Sequence, residues 1–371
     1  MSHAPPEDLP PVASLRRGWT TGSCATAATR AAFEALHTGV FPDPVEILLP
    51  NGSRPAFALA VTERGDDFAR AGVVKDAGDD PDVTHGALVL ATVRRGAPGS
   101  SVHFRAGPGV GMVTRPGLPI PPGEPAINPV PREMMRAAVA EAAALLGVSA
   151  DCEIEVSIPG GEEIAKRTLN GRLGVVGGLS ILGTTGIVTP YSCAAWIHSI
   201  HRGIDVARAS GLHHVAGATG DTSEKAVQRL HGLDEIALID MGDFVGGMLK
   251  YVRRHPVERV TVAGGFAKMT KLGQGLLDLH SRRGEVDLGW LAQRFAEAGA
   301  SAGQVAEAAA LASANEALLL ARTAGVDLGA AVAEAAWATA AKALAGSGVE
   351  LDVAVFDRQG ALVARTPFRP V

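Results

Sequence analysis

The chain has 371 residues, of which 47% are hydrophobic and 20% are charged, and its formal net charge is −5. This length predicts two domains with buried cores. The charge balance lacks the basic surface of a nucleic-acid-binding protein, and no apolar run reaches the roughly 18 residues of a membrane span. We therefore expect neither nucleic acid nor a membrane as a partner.

The first fourteen residues are rich in proline and acidic side chains and lack the basic-then-apolar pattern of a signal peptide. They predict a disordered tail (1–14) on a cytoplasmic protein. The three cysteines, Cys24, Cys152 and Cys193, contain no C-x-x-C pair. They indicate a reduced compartment rather than a disulfide framework or a zinc ribbon.

Residues 15–165 are predicted to form an α+β substrate-binding domain. Its first helix is expected from about 24 to 36, capped by Ser23 and ended near Gly39. Short alternating or β-branched runs between 45 and 107 predict an antiparallel sheet. The remaining expected elements are a Pro/Gly-rich loop, a helix and a strand, at about 107–131, 132–146 and 152–159.

Residues 166–371 are predicted to form a Rossmann-like α/β domain with Ala-rich C-terminal helices. Three successive segments beginning "LHHVAGATGD", "EIALIDMGD" and "VERVTVAGG" each have the pattern strand, glycine-containing turn, helix. Such repeats imply a parallel sheet with right-handed crossovers. The later helices and a hairpin turn are expected at Asp287, Ser301, Asp327 and Gly360.

A glycine turn and an acidic residue lie at the first two strand ends of this second domain. Gly217 and Gly220 follow the first strand, and Asp240 ends the next one, about 20 residues on. A carboxylate at that place can accept both ribose hydroxyls, whereas G-x-x-G is an incomplete pyrophosphate cradle. The pattern favours an adenosyl ligand without phosphates. The alternative is an ordinary α/β turn in which Asp221 and Glu224 form a capping box.

Further glycines precede the first of these strands and follow the third, and basic residues come after the latter. The predicted cofactor contacts are Gly183, Thr184, Thr185, Gly217, Thr219, Gly220, Asp221, Asp240, Gly264 and Gly265. The predicted positive rim of the same crevice comprises Lys268, Lys271, His280, Arg282 and Arg283. Ligands bind outside the carboxyl ends of parallel strands, which favours a shared site. The alternative is that these basic side chains are ordinary surface residues exposed to solvent.

The segment "LRRGWTTGSCATAATRAA" resembles a seat for an anionic ligand. A helix that begins there offers free backbone N–H groups, and Arg16, Arg17, Thr20, Thr21 and Ser23 add donors. These groups suit a carboxylate or phosphate of the substrate. The alternative is a well-capped helix with a small-residue packing face.

The segment "KDAGDDPDVTHG" concentrates acidic residues and one histidine. It lacks the glutamate that closes a calcium-binding EF-hand loop. Asp76, Asp79, Asp80 and His85 are therefore candidate catalytic acid–base groups. The alternative is a turn in which aspartate and proline set the backbone conformation.

Four histidines raise the question of a metal site. His198 and His201 are one helical turn apart, and His213 and His214 follow, but no acidic or cysteine partner lies nearby in the sequence. We expect a structural role for them and no metal site. Cys24 is a weak candidate nucleophile, since the sequence places no histidine beside it.

Several long segments together resemble the CbiD family, the cobalt-precorrin-5B C1-methyltransferases of corrin-ring synthesis. They are "LRRGWTTGSCATAATRAA", "KDAGDDPDVTHGA", "GPGVGMVTRPGLPIPPGEPAINPVPREM", "IPGGEEIAKRTLNGRLGVVGGLSILGTTGIVTPYS" and "GGFAKMTKLGQGLLDLHSRRGEVD". The likeness extends from about residue 15 to 290. The chain has Trp19 where the family commonly has tyrosine, and Asn170-Gly171 where Asn-Pro is usual.

The resemblance implies an enzyme that methylates C1 of cobalt-precorrin-5B with S-adenosylmethionine, in the anaerobic, cobalt-early route to cobalamin. The tetrapyrrole carries acetate and propionate arms, which suit the anion-binding candidates. Cobalt belongs to the substrate, and a homo-oligomer and neighbouring pathway enzymes are further candidate partners. Two alternatives are a corrinoid-specific NAD(P)H reductase, which the incomplete phosphate loop disfavours, and a non-catalytic corrinoid carrier, which the adenosyl-type turn disfavours.

Overall fold

The computed structural model describes residues 14–371, apart from the side chain of Arg282. The described chain divides into two compact units between Ser192 and Cys193, an N-terminal unit (14–192) and a C-terminal unit (193–371). The predicted tail lies, except for Ser14, outside the described residues. Among the helices of the described residues, none combines the length and apolar character of a transmembrane segment.

The N-terminal unit contains long helices beside many short strands. In chain order its elements are β1 (Gly18–Trp19), α1 (Thr21–Thr38), β2 (Val45–Glu46), β3 (Ala56–Phe57), β4 (Val61–Arg64), β5 (Phe68–Val74), β6 (Leu88–Arg95), β7 (Val102–Ala106), β8 (Gly109–Val110), β9 (Met112–Val113), α2 (Pro129–Leu146), β10 (Cys152–Ser157), α3 (Gly161–Ala165), β11 (Val175–Val176), β12 (Gly178–Leu179) and β13 (Ile187–Val188). The α+β composition therefore agrees with the expectation.

The main sheet of this unit has the strand order β4–β5–β6–β10–β7 within residues 14–192. Its pairs are antiparallel except β10 with β7, which is parallel. The predicted antiparallel sheet is thus confirmed for β4, β5 and β6, and β7 joins the sheet through a parallel pair with β10. The chain leaves β7, passes through α2 and returns as β10, and a crossover of that length is what a parallel pair requires.

Helix α1 packs against β5, β6 and α2. Its alanines are buried, and their small side chains allow the helix to lie close to these elements. The expected end at Gly39 is confirmed, with φ at 81°. The helix begins at Thr21 rather than Cys24, because Thr20 is the N-cap and its Oγ1 accepts a hydrogen bond from the Ser23 N–H at 3.1 Å.

Residues 166–192 belong to the N-terminal unit, not to the second domain for which 166 was the expected start. Three short strands of this segment explain the difference. β11 pairs with β9, β12 with β8, and β13 with β1. These backbone pairings tie the segment to the unit that precedes it, so the boundary lies at 192.

The C-terminal unit alternates strands and helices. In chain order its elements are α4 (Cys193–Ala209), β14 (His214–Ala218), α5 (Asp221–His231), β15 (Leu238–Asp240), α6 (Val245–Arg254), β16 (Arg259–Gly265), α7 (Phe266–Gly273), α8 (Leu288–Glu297), α9 (Ala302–Ala309), α10 (Ala314–Ala324), α11 (Leu328–Leu344), β17 (Glu350–Phe356), β18 (Leu362–Arg365) and β19 (Arg369–Pro370). Short 3-10 helices lie at Glu235–Ala237 and Ser281–Arg283.

The sheet of this unit has the order β15–β14–β16–β17–β18, and β19 also pairs with β17. The pairs β15–β14, β14–β16 and β16–β17 are parallel, as the three strand–turn–helix segments predicted. The hairpin β17–β18 is antiparallel, and Asp287, Ser301 and Asp327 cap their helices as expected. The protein is therefore a mixed α/β protein.

One predicted helix cap differs. Gly220 is the N-cap of α5, and Asp221 is the first helical residue, so the expected capping box of Asp221 and Glu224 does not form. Because Asp221 is already helical, its carboxylate accepts a hydrogen bond from Lys225 one turn later, at 2.8 Å.

Candidate functional site

In the N-terminal unit, the fold brings the opening segment next to the acidic segment. The Arg16 guanidinium donates to both carboxylate oxygens of Asp76, at 2.5 and 2.9 Å. The Arg16 N–H donates to Asp79 at 2.6 Å, and the Trp19 N–H donates to the Asp76 carbonyl at 2.7 Å. Two sets of residues that were predicted separately therefore form one N-terminal cluster, which comprises residues 16–23 and 76–85.

The electrostatics of this cluster distinguish its acid–base candidates. The hydrogen bond from Arg16 lowers the pKa of Asp76 to about 2. The Asp80 carboxylate accepts from the Tyr191 N–H at 2.8 Å. His85 accepts from the Ala77 N–H on Nδ1 at 3.1 Å, so a neutral His85 carries its proton on Nε2. Asp76 is thus held as a charged partner of Arg16 near neutral pH, which makes it poorly suited to moving a proton there.

The start of α1 does not present the free backbone donors that we predicted. The Gly22 N–H donates to the Leu182 carbonyl at 2.8 Å, and the N–H groups of Ser23 and Cys24 donate to Thr20. Residue Leu182 thus satisfies the first of these donors, and the N-cap residue Thr20 satisfies the next two. The donors that a substrate could still reach in this segment include the exposed side chain of Arg17.

Two hydroxyl groups of the opening segment form hydrogen bonds with the loop of residues 182–186. Ser23 donates to the Gly186 carbonyl at 2.6 Å, and Thr21 accepts from the Leu182 N–H at 2.9 Å. A Cβ on Gly183 would overlap the Thr20 side chain. Gly183 therefore lies against Thr20, within the N-terminal unit.

In the C-terminal unit, the other predicted cofactor residues share one edge of the sheet, where β14, β15 and β16 end. Asp240 is the last residue of β15 and lies opposite Ala218, the last residue of β14. The Thr219 N–H donates to the Ala263 carbonyl at 3.1 Å, which ties the turn after β14 to β16. We call this place the C-terminal sheet edge, formed by residues 217–221, 240–243 and 264–268.

The glycines at this edge have two different roles. A Cβ on Gly217 would overlap Met248, and one on Gly264 would overlap Met269, so these glycines permit close packing. A Cβ on Gly220 or Gly265 would meet no heavy atom within 4 Å. These latter two leave space beside the strand ends, as a bound nucleoside requires.

The predicted positive rim follows β16 but is largely neutralised. Lys268 forms an ion pair with Asp243 and donates to the Leu279 carbonyl at 3.2 Å. Lys271 donates to the same carbonyl at 3.3 Å and is only 8% exposed. Burial, and secondly the charge of Lys268, lowers the pKa of Lys271.

Beyond these lysines, Arg283 pairs with Asp278 at 3.5 Å. The His280 N–H donates to the Asp278 carboxylate at 3.2 Å. The side chain of Arg282 lies outside the described residues. Asp243 and Asp278, which the sequence analysis did not select, therefore offset the positive charge of these basic residues. The sequence signal for Asp243 was its position just after the second strand, in "DMGDF".

Comparison with known proteins identifies the family. A family model described as CbiD matches residues 10–190, and one described as CbiD, C-terminal domain, matches residues 278–367. A relative from Bradyrhizobium sp. is 68% identical over 351 residues, covering 95% of this chain and 93% of the relative. The chain belongs to the CbiD family.

A second relative supports the same assignment. A relative from Agrobacterium fabrum is 64% identical over 360 residues, covering 96% of this chain and 94% of its own length. Both relatives are named cobalt-precorrin-5B C(1)-methyltransferase. A crystal structure of a cobalamin biosynthesis protein (cbiD) from Archaeoglobus fulgidus is 28% identical, covers 72% of this chain and 83% of that chain, and has a TM-score of 0.39. The resemblance inferred from the sequence segments is confirmed.

The CbiD fold also contains a buried ion pair that the sequence reasoning missed. The Lys75 side chain is 1% exposed, and its Nζ donates to Asp82 at 2.5 Å. The other oxygen of Asp82 accepts from the N–H and the hydroxyl of Thr84 at 2.8 and 2.6 Å. This arrangement fixes the loop that carries the acid–base candidates. The sequence signal for this ion pair was a lysine directly after a buried strand, in "VVKDA".

The histidines divide into two groups in this CbiD protein. The His201 ring stacks on Tyr251, with centroids 3.9 Å apart, which supports the expected structural role. For His214 the sequence places no acidic partner nearby, but the fold brings Asp352 to the same cluster as His214 and His231. Asp352 is 138 residues later than His214, so sequence proximity contained no signal of it.

Proposed function

We propose that this protein transfers a methyl group from S-adenosylmethionine to C1 of cobalt-precorrin-5B, in the anaerobic route to cobalamin. The observation that carries the proposal is the set of relatives, 57–68% identical over at least 94% of this chain, that are named for this activity. The substrate is a cobalt-containing tetrapyrrole, and we place the reaction in the cytoplasm.

The C-terminal sheet edge is the proposed site of the methyl donor, on a Rossmann-like unit. Asp240 ends its strand where a carboxylate can accept the ribose hydroxyls, and Gly220 and Gly265 leave room beside it. Thr219 and Asp221, in the turn after β14, complete the proposed contacts. S-adenosylmethionine supplies a methyl group already activated by its sulfonium, so the protein's task is to orient the two reactants and exclude water.

The N-terminal cluster is the proposed contact for the substrate. Arg17 is exposed and can bind a carboxylate arm of the tetrapyrrole. Arg16 and Asp76 hold the segment in place, and Thr20, Thr21 and Ser23 fix its backbone. His85 is the proposed group for moving a proton as C1 becomes nucleophilic.

The experiment that tests this proposal measures donor binding and methyl transfer separately. Isothermal titration with S-adenosylmethionine on wild type and on Asp240→Ala should show at least tenfold weaker binding in the variant, which is about 1.4 kcal/mol. Transfer of labelled methyl from the donor to cobalt-precorrin-5B should fall at the same donor concentration.

The control is Glu307→Gln, which removes a charge from an exposed position on α9 in the same unit. Its binding and transfer should equal those of wild type. Binding of NADPH in place of the donor would support a reductase instead. Corrinoid binding without donor binding, even with both present, would support a carrier and end the methyltransferase proposal.

A further inference from the structure

A cluster of two histidines and one aspartate lies at the other end of the C-terminal sheet. His214 is the first residue of β14, His231 is the last of α5, and Asp352 is in β17. One ligand atom of each lies within 4.8 Å of the other two. Since β14 spans five residues from His214 to Ala218, the cluster is roughly 13 Å from the strand end that neighbours Asp240.

A hydroxyl group links the two imidazoles. Thr261 Oγ1 lies 2.8 Å from His214 Nε2 and 3.4 Å from His231 Nε2. The same His231 nitrogen lies 3.4 Å from Asp352 Oδ2. The two rings are nearly perpendicular, with centroids 4.8 Å apart, and both Nε2 atoms lie within 3.4 Å of the same Thr261 hydroxyl.

The aspartate of this cluster is incompletely satisfied. Asp352 is fully buried, and its Oδ2 accepts from Arg365 at 2.9 Å. Its Oδ1 has no hydrogen-bond partner within the described part of the chain. A buried carboxylate oxygen without a partner is costly, and a cation beside it would remove that cost.

We propose that His214, His231 and Asp352 form a zinc-binding site. Two imidazole nitrogens and a carboxylate oxygen are a donor set that Zn²⁺ prefers, at about 2.0–2.2 Å each, with a fourth position left for water. The present spread of up to 4.8 Å exceeds the separation in a tetrahedral site, so modest side-chain rotation must accompany binding. Because Arg365 uses only one oxygen of Asp352, the other is free for the ion.

The charged groups around the site largely cancel one another. Arg259 and Arg365 face the cluster across Phe368 and oppose a cation. Arg259 is paired with Glu350 at 2.8 Å, and Arg365 is paired with Asp352 at 2.9 Å.

The test uses the full-length protein, freed of metal with a chelator and titrated with zinc chloride. We expect one Zn²⁺ per chain in wild type and at least tenfold weaker binding in His231→Ala and in Asp352→Asn. The matched control is His198→Ala, which removes an exposed histidine on α4 and should leave zinc affinity unchanged.

A second measurement does not depend on the variants folding. Titration of metal-free wild type with Co²⁺ should give the intense visible absorption of a tetrahedral site, and Zn²⁺ should displace it. Circular dichroism shows whether each variant is folded. Zinc binding that persists in folded His231→Ala, binding lost in the surface control, or no tetrahedral cobalt spectrum would each overturn the proposal.

Discussion

At the residue scale, Lys75 and Asp82 show how a buried charge depends on its partner. Lys75 is 1% exposed and Asp82 is 25% exposed. Burial, the largest single effect, raises the pKa of Asp82, but the charge of Lys75 and the hydrogen bonds from Lys75 and Thr84 together outweigh it and lower the pKa overall. The pair therefore stabilises the folded state only while both groups are charged.

We expect Asp82→Ala to lower the free energy of unfolding by about 3–5 kcal/mol, because it leaves the Lys75 ammonium buried without a counter-ion. Urea denaturation measures this. The double variant Lys75→Met with Asp82→Ala should recover much of the loss. A cost for the single variant below about 1 kcal/mol, typical of an exposed pair, would contradict this account.

The same pair predicts a pH dependence. Since the folded-state pKa of Asp82 is below its unfolded value of 3.8, its contribution is complete above that value and is lost as the pH falls below it. Melting temperatures should therefore decline more steeply below pH 4 in wild type than in the double variant. Equal slopes would show that the pair does not contribute.

The cysteines provide a second residue-scale prediction. Burial raises the pKa of Cys24 to about 12, and it raises the pKa of Cys152 similarly, whereas Cys193 is exposed. In native protein a thiol-specific chromogenic reagent should modify Cys193 rapidly and the other two only after unfolding.

The control for this thiol experiment is Cys193→Ser, which should abolish the rapid reaction. Cys24→Ala should retain methyl transfer, because a thiol with so high a pKa is a poor nucleophile. Loss of transfer in a folded Cys24→Ala protein would return Cys24 to the list of catalytic candidates.

At the element scale, β1 lies so close to the acidic segment that it requires glycine. A Cβ on Gly18 would overlap the backbone of Ala77 and Gly78. We expect Gly18→Ala to separate the two segments, weaken the bond from the Trp19 N–H to Asp76 and lower stability by about 1–3 kcal/mol. Thermal unfolding and methyl-transfer rate are the measurements.

The matched control is Gly171→Ala, since a Cβ there meets no heavy atom within 4 Å. Its stability should change by no more than about 0.5 kcal/mol. If both substitutions were equally tolerated, the close approach of β1 would not be needed for the N-terminal cluster.

The helix ends and the sheet pairings differ in how far sequence predicts them. The capping residues Asp287, Ser301 and Asp327 were predicted because a cap acts within one helical turn. The placement of β10 between β6 and β7 was not, because strand order depends on crossovers through distant chain. The error at Asp221 is instead a local shift of one residue, since Gly220 has the extended conformation of the N-cap and Asp221 is already helical.

At the scale of the whole molecule, each unit has its own hydrophobic core. The N-terminal core contains residues from Cys24 to Ile181, and the large C-terminal core contains residues from Ile200 to Val355. We therefore expect residues 193–371, expressed alone, to fold and to bind S-adenosylmethionine without transferring methyl, because residues 16–23 and 76–85 are missing.

Circular dichroism, denaturant unfolding and donor titration of this fragment test the prediction. Asp240→Ala in the fragment should weaken donor binding as it does in the full chain. A fragment that is unfolded in solution would show that the C-terminal core needs the N-terminal unit, and a folded fragment that does not bind would move the donor site elsewhere.

The amino-acid sequence by itself determined the family, the mixed α/β class, the parallel strands of residues 214–265 and most helix ends. These features depend on periodicity, caps and motifs within a few tens of residues. Only the tertiary structure decided that Gly183 lies by Thr20, that the helix start at Gly22 is already satisfied, and that Asp352 joins His214. Each of these depends on chain segments more than 100 residues apart, whose meeting is determined by core packing and strand order rather than by local pattern.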